Sequence, residues 1–258
     1  MFFIEHLKSI LFSGRAPEIG TTRTPALPSV FRIEPKAMLR FYSQFMRPGD
    51  LCFDIGANLG NRLTIFRQLG ARVVALEPQD ACFKELTSRF DNDPQVTLLP
   101  LAAADRELEF EMHVANVNTI SSMSTEWIEK TKKSGRFSDY RWDQVQKVKS
   151  TTLDKLIATH GLPRFIKIDV EGFELPVILG LSQPVPCLSF EWTPEFSQAA
   201  WDCLDHLAGI GDIETNYSLG ESMLWAAEQW MKPVQLKTAL AAYENDIKHF
   251  GDIYVRFP

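Results

Sequence analysis

Asp54-Ile55-Gly56-Ala57-Asn58-Leu59-Gly60-Asn61 is the stretch that decides the fold. It follows the short apolar run LCFDI (51–55) and opens the helical stretch GNRLTIFRQL (60–69), which Gly70 closes. A strand, a glycine turn and a helix in that order form the opening unit of a parallel sheet. The glycines let the backbone turn tightly and approach a ligand. The helix N-terminus offers unpaired N–H groups to an anion.

Outward from this turn, strands and helices keep alternating. RVVALE (72–77) reads as a strand ending in an acid, residues 80–90 as a helix, and VTLLPLA (96–102) as a third strand. ELEFEMHV (107–114) alternates polar and apolar residues, as a half-exposed strand does. Residues 115–150 break the rhythm with a polar run and then a charged segment in which Lys and Arg outnumber Asp and Glu. They read as an insertion over the sheet. Alternation resumes with TTLDKLIATHG (151–161), a helix with Thr151 or Thr152 as N-cap. RFIKIDV (164–170) is a strand, ELPVILGL (174–181) a helix and VPCLSFEW (185–192) a strand. A helix over 197–208, a strand over 210–217, a helix over 235–248 and the strand DIYVRF (252–257) complete the chain. This pattern predicts an α/β fold, a mostly parallel sheet with helices on both faces. The long excursion 218–250 leaves room for one of the last two strands to enter antiparallel.

Upstream, residues 34–46 read as a helix that tolerates Pro35 in its first turn. Residues 13–30 are a Pro-, Thr- and Gly-rich linker. The apolar positions 3, 4, 7, 10 and 11 fit one helical face, either packed on the domain or resting on a membrane surface. The expected organisation is an N-terminal helix and linker over 1–35, then one domain over 36–258. For 258 residues that is an ordinary size. The net charge of −6 disfavours a nucleic-acid partner, which would call for a basic surface. No stretch approaches the ~20 apolar residues of a membrane span. Cys52, Cys82, Cys187 and Cys203 form no CxxC pair and read as reduced thiols of a cytoplasmic protein.

The turn also separates two ligand classes. A nicotinamide site wants G-x-G-x-x-G, whereas this loop is G-x-x-x-G with Asn58 in the middle. An acid, Asp54, stands just ahead of the first glycine, where it would repel a diphosphate. It suits a ligand with a positive amino group, such as S-adenosylmethionine, whose carboxylate the helix amides can hold. Glu77 ends the next strand about twenty residues on, where a carboxylate accepts hydrogen bonds from ribose hydroxyls.

In Arg164–Glu174, Lys167, Asp169 and Glu171 point to one face of the strand, and Ile166, Ile168 and Val170 to the other. A lysine inside a buried parallel strand is costly unless paired. Asp169, Glu171 and Glu191 of the neighbouring strand are its candidate partners. Asp54, Glu77, Asp169 and Glu191 all fall at carboxyl ends of strands, where ligands of open α/β sheets bind.

IKIDVEGFE, together with TTLDKL, FDIGANLGN and ALEP, resembles the FkbM family of S-adenosylmethionine-dependent methyltransferases from about Asp50 to Glu191, with GDIYVRF a looser match. The resemblance implies a Rossmann-like class I sheet of seven strands, the last antiparallel. It implies O-methylation of a sugar, glycan or polyketide-type hydroxyl with S-adenosyl-L-methionine as cofactor. Asp54, Gly56, Ala57, Asn58, Gly60 and Asn61 would then form the methionine-end loop, Glu77 would hold the ribose, and Ala102 and Ala103 would lie near the adenine. Asp169 and Glu171 would face the reactive end. Asn61-Arg62 is a departure, because the family often has an aromatic residue after the second glycine.

A hydroxyl acceptor needs a base. Asp169 is the first candidate, followed by Glu171 and Glu191, with His113 behind them. A competing account makes Asp169, Glu171 and Glu191 oxygen ligands of Mg²⁺. The insertion would wall the acceptor, with Asn116, Asn118, Ser121 and Ser122 on a polyol and Trp127, Tyr140 and Trp142 on a sugar face. The alternative is a lid whose aromatics merely anchor it. Rival functions are a catalytically idle binding module of the same fold and a nicotinamide-dependent oxidoreductase.

Overall fold

The computed structural model describes residues 35–244 and 246–258. The helix expected near the N-terminus and the linker over 13–30 lie outside the described residues. The strands are β1 (Leu51–Ile55), β2 (Arg72–Leu76), β3 (Val96–Leu99), β4 (Ala102–Ala103), β5 (Glu109–Val114), β6 (Gln144–Thr151), β7 (Phe165–Ile168), β8 (Cys187–Trp192), β9 (Glu214–Leu219) and β10 (Gly251–Arg256). The helices are α1 (Pro35–Tyr42), α2 (Asn61–Gln68), α3 (Asp80–Phe90), α4 (Thr125–Ser134), α5 (Leu153–His160), α6 (Glu174–Leu179), α7 (Ser197–Ile210) and α8 (Pro233–Ala241). None of these helices is long and apolar enough to cross a membrane.

Seven strands form the main sheet in the order β3-β2-β1-β7-β8-β10-β9. All pair in parallel except β10, which runs antiparallel between β8 and β9. This is the expected sheet, including its antiparallel last strand. Phe53, Ile55, Val74, Leu76, Ile166 and Ile168 enter one apolar cluster, while Cys52, Val73, Ala75 and Phe165 enter another. Successive strand residues point to opposite faces, and both faces are covered. That is why β1 is buried along its whole length and reads as a continuous apolar run. The chain leaves β1 towards β2 and β3 on one side and later fills β7 and β8 on the other. The switch point, and the crevice that goes with it, therefore lies at the carboxyl ends of β1 and β7.

Most element boundaries fall within a few residues of expectation, and Thr152 is the N-cap of α5, accepting from the Lys155 N–H at 3.1 Å. Three departures stand out: the last helix ends at Ala241 rather than 248, the stretch 115–150 ends in an unexpected strand, β6, and the third strand is shorter than expected. β3 stops at Leu99, because Pro100 has no N–H to carry a ladder onward. Ala102 and Ala103 instead pair with β6 in a second sheet, β4-β6-β5. β6 runs antiparallel to β5, with Glu109 opposite Lys149 and Glu111 opposite Lys147. The basic excess of the inserted stretch is thus in part the charge complement of β5.

Candidate active site

The turn after β1 is held by both of its neighbours. Gly56 and Ala57 donate their N–H groups to the Leu76 carbonyl, each at 2.9 Å. Gly56 sits at φ 83°, and a Cβ there would stand 2.0 Å from the Asp169 carbonyl oxygen. Only glycine lets β1 turn this close to the segment leaving β7. Asn58 takes the left-handed conformation too, at φ 50°. Its N–H donates to Glu77 Oε2 at 2.7 Å, while the Gln79 N–H donates to Oε1 at 2.7 Å. Glu77 is therefore 2% exposed and fixed against the loop. Gly60 serves packing instead, since a Cβ there would meet Leu86 at 2.8 Å and Phe90 at 2.9 Å, so this glycine seats α2 on α3.

These residues border an open cleft at the switch point. Asp54, Gly56, Ala57, Asn58, Asn61 and Glu77 line it on the sheet side, and Ala102 and Ala103 line it further along. Gly60 does not. Burial pushes the Asp54 carboxyl up to about 7, against the pull of Lys167 and Arg62. Burial also pushes Glu77 up to about 7, and the Gln79 and Asn58 N–H groups offset only part of this. Asp54 Oδ2 is buried with no hydrogen-bond partner. An acid with an unpartnered oxygen on the wall of a cleft is the feature an ammonium group would satisfy. Glu77 keeps lone pairs beyond the two backbone bonds for hydroxyl donors. The residues present therefore fit an amino-acid-tailed nucleoside.

Residues from the stretch after β5 line the same cleft. Asn118 faces the glycine turn: its side chain donates to Asn58 Oδ1 at 3.2 Å, and its carbonyl accepts from Gln79 Nε2 at 3.0 Å. Asn118, Thr119 and Ser121 line the cleft. Ser122 does not present its hydroxyl to a ligand, because it is fully buried and donates to the Glu171 carbonyl at 2.6 Å. Trp127 is 1% exposed and packs with Phe137. It lies over Gly172, where a Cβ would stand 2.2 Å from the indole. Trp142 donates from its indole N–H to the Ile120 carbonyl at 2.8 Å. Trp127 thus anchors the segment and offers no sugar-stacking face.

Beyond β7, Asp169, Glu171 and Glu191 bring carboxylate oxygens within 4.8 Å of one another. That is close enough to share a proton or a divalent cation. Asp169 and Glu171 line the cleft. Glu191 instead borders a smaller hollow with Glu174 and Trp192. Glu171 adopts φ 52°, held by Ser122 from the insertion. Lys167 takes its closest acid from an unexpected place. Its Nζ lies 3.0 Å from Asp252 on β10 and 3.6 Å from Asp169. Burial pulls the Lys167 ammonium down, and the Asp169 and Asp252 carboxylates more than reverse it, leaving it above lysine's ordinary value. Behind the cluster, burial and then Glu191 push the Glu174 carboxyl up to about 8. His113 makes a bridge with Ser122 through its backbone and is not among the cleft-lining residues. Sequence reasoning missed Gln79 and Glu221 on the cleft wall and noted Arg62 only as a departure.

A family model described as the methyltransferase FkbM domain matches residues 54–208. The hexuronic acid methyltransferase AglP of Haloferax volcanii is 26% identical over 159 residues, which span 59% of this chain and 59% of that protein. Among solved structures, a precorrin-6y C5,15-methyltransferase from Geobacter metallireducens superposes with a TM-score of 0.45 at 8% identity, covering 91% of this chain and 94% of that one. A TehB-like SAM-dependent methyltransferase from Corynebacterium glutamicum gives a TM-score of 0.42 at 8% identity, covering 85% and 87%.

Proposed function

The chain belongs to the FkbM methyltransferase family, and we propose that it transfers the methyl group of S-adenosylmethionine to a hydroxyl of a sugar, glycan or glycosylated metabolite. The observation that carries the cofactor reading is the unpartnered Asp54 carboxylate oxygen at the switch-point cleft. The acceptor reading draws support from the hexuronic acid relative and from the polar inserted residues Asn118, Thr119 and Ser121 along the cleft.

In this reading Asp54 receives the ammonium of the cofactor, and Glu77 accepts from the ribose hydroxyls. Gly56, Ala57, Asn58 and Asn61 border the tail. Ala102 and Ala103, being small, leave room for the adenine. When bound, the cofactor supplies a methyl group already activated on a sulfonium. It remains for the chain to align the acceptor, exclude water and take up the hydroxyl proton. Asn118, Thr119, Ser121 and Met123 wall the cleft against water on their side. Asp169 takes the proton, a role worth about 10²–10⁴ in rate. Its side chain opens to the cleft at 22% exposure, and Lys167 steadies it from behind. Glu171 and Glu191 stand close enough to share that proton. The four cysteines are free and buried, in line with a cytoplasmic setting.

Incubating the protein with isotope-labelled S-adenosylmethionine and a pool of glycans, then reading products by mass spectrometry, tests the acceptor. Calorimetric titration with S-adenosylhomocysteine and with NAD tests the cofactor. Labelled sugar methyl ethers are the expected product. Binding of NAD alone would overturn the reading, and binding of S-adenosylhomocysteine without turnover on any glycan would leave a cofactor-binding module.

A further inference from the structure

Two buried polar atoms on residues of the cleft wall lack a hydrogen-bond partner, and they are opposite in kind. One is the acceptor Asp54 Oδ2, the other the donor Arg62 Nε. Arg62 lies in the first turn of α2, next to the glycine turn. Its side chain is 11% exposed, and its guanidinium is held through Nη2 by Glu221 and lies 6.0 Å from the centre of the Tyr42 ring. Arg62 is thus a fixed cation with a donor to spare. A guanidinium carries five N–H groups, so Glu221 on Nη2 leaves Nε open to a second oxygen. Leaving such a buried donor unpaired is costly.

An α-amino acid tail presents an ammonium and a carboxylate on one carbon. We propose that Arg62 receives the carboxylate of the cofactor's amino-acid tail while Asp54 receives its ammonium, so that the two side chains together select a zwitterion. This assigns a residue to the charge that the helix amides alone were expected to hold, and it rests on the cofactor reading above. A ligand without the carboxylate satisfies Asp54 and leaves Arg62 Nε idle. A ligand without the whole tail satisfies neither.

Three probes separate these cases by calorimetry: S-adenosylmethionine, its decarboxylated form and 5′-methylthioadenosine. The wild-type protein should bind the decarboxylated form about 10- to 100-fold more weakly than S-adenosylmethionine, the worth of a hydrogen bond to a charged group. Arg62→Leu should weaken S-adenosylmethionine by a similar factor, leave 5′-methylthioadenosine unchanged and abolish the preference for the carboxylate. Arg62→Lys should restore part of it. Equal loss for S-adenosylmethionine and 5′-methylthioadenosine in Arg62→Leu would overturn the assignment, since a merely structural role predicts it. If that variant does not fold, the wild-type comparison decides, and equal affinity for the carboxylated and decarboxylated forms overturns the proposal. Failure of the wild-type protein to bind any of the three would overturn the cofactor reading as well.

Discussion

Glu77→Gln changes one oxygen to nitrogen and keeps the shape. In the protein the two carboxylate oxygens accept the Asn58 and Gln79 N–H groups at 2.7 Å each. A glutamine has a single acceptor oxygen, so one of those N–H groups would face an amide NH₂. The loss is one hydrogen bond to a charged group, about 1.5–3 kcal/mol. Relief of carboxylate desolvation, the same burial that pushes Glu77 up to about 7, offsets part of it in the free protein. In the complex the ribose hydroxyls also lose acceptors, so the expected weakening is about 10- to 100-fold in the dissociation constant for S-adenosylhomocysteine. Isothermal titration between pH 6 and 8 is the assay. A carboxyl pushed up to about 7 must give up its proton to accept hydroxyls, so wild-type affinity should rise through this window with proton release. The variant should keep only the share contributed by Asp54, which is also pushed up to about 7. A change in affinity below about threefold, with the pH profile untouched, would refute the placement of the ribose at Glu77.

Asp169→Asn should lower turnover by about 10²-fold or more while leaving S-adenosylhomocysteine affinity within a few-fold, measured by steady-state kinetics and titration. Unchanged turnover would remove Asp169 as the base. Gly172→Ala should destabilise the protein by at least about 1–2 kcal/mol from the left-handed backbone alone. A Cβ 2.2 Å from the Trp127 ring adds to this, so thermal melting should fall and limited proteolysis should open the chain around residues 115–143. Glu174 binds its proton more tightly in the folded state, with its carboxyl pushed up to about 8 from an ordinary 4.5. Its stabilising contribution is whole below about pH 4.5 and is lost as pH rises through about 8. Glu174→Gln should therefore flatten the decline in melting temperature between pH 5 and 8, and a variant with the wild-type slope would show that other groups set it.

What could be read from the sequence was local. The glycine turn announces itself because Gly56, Asn58 and Gly60, residue types that tolerate left-handed backbone, follow one strand within a few residues, and all three adopt it. The apolar runs of β1 and β7 announce a sheet covered on both sides. What escaped depends on residues far apart in the chain. Lys167 finds Asp252 85 residues later, and Arg62 finds Glu221 after 159. No periodicity reports such pairs, since topology alone brings them together. The third strand ends at Leu99 because Pro100 cannot carry the ladder on, a local signal that the apolar run through residue 102 masks. The two possibilities left open for Trp127 could be resolved only by seeing that Gly172 leaves a slot of the indole's size. Gly60 had the right residue type for a ligand turn, but its hydrogen faces Leu86 and Phe90.

The placing of β10 bears on how the molecule is built. Translation delivers residues in order, and β9 has no partner strand in the main sheet until residues 251–256 have followed it. Until then the half-finished sheet ends at β8, with a bare row of backbone donors and acceptors, and Lys167 waits without its nearest counter-charge. The far edge of the sheet therefore closes only once the last strand has been made, and β8 and β9 are joined through it alone.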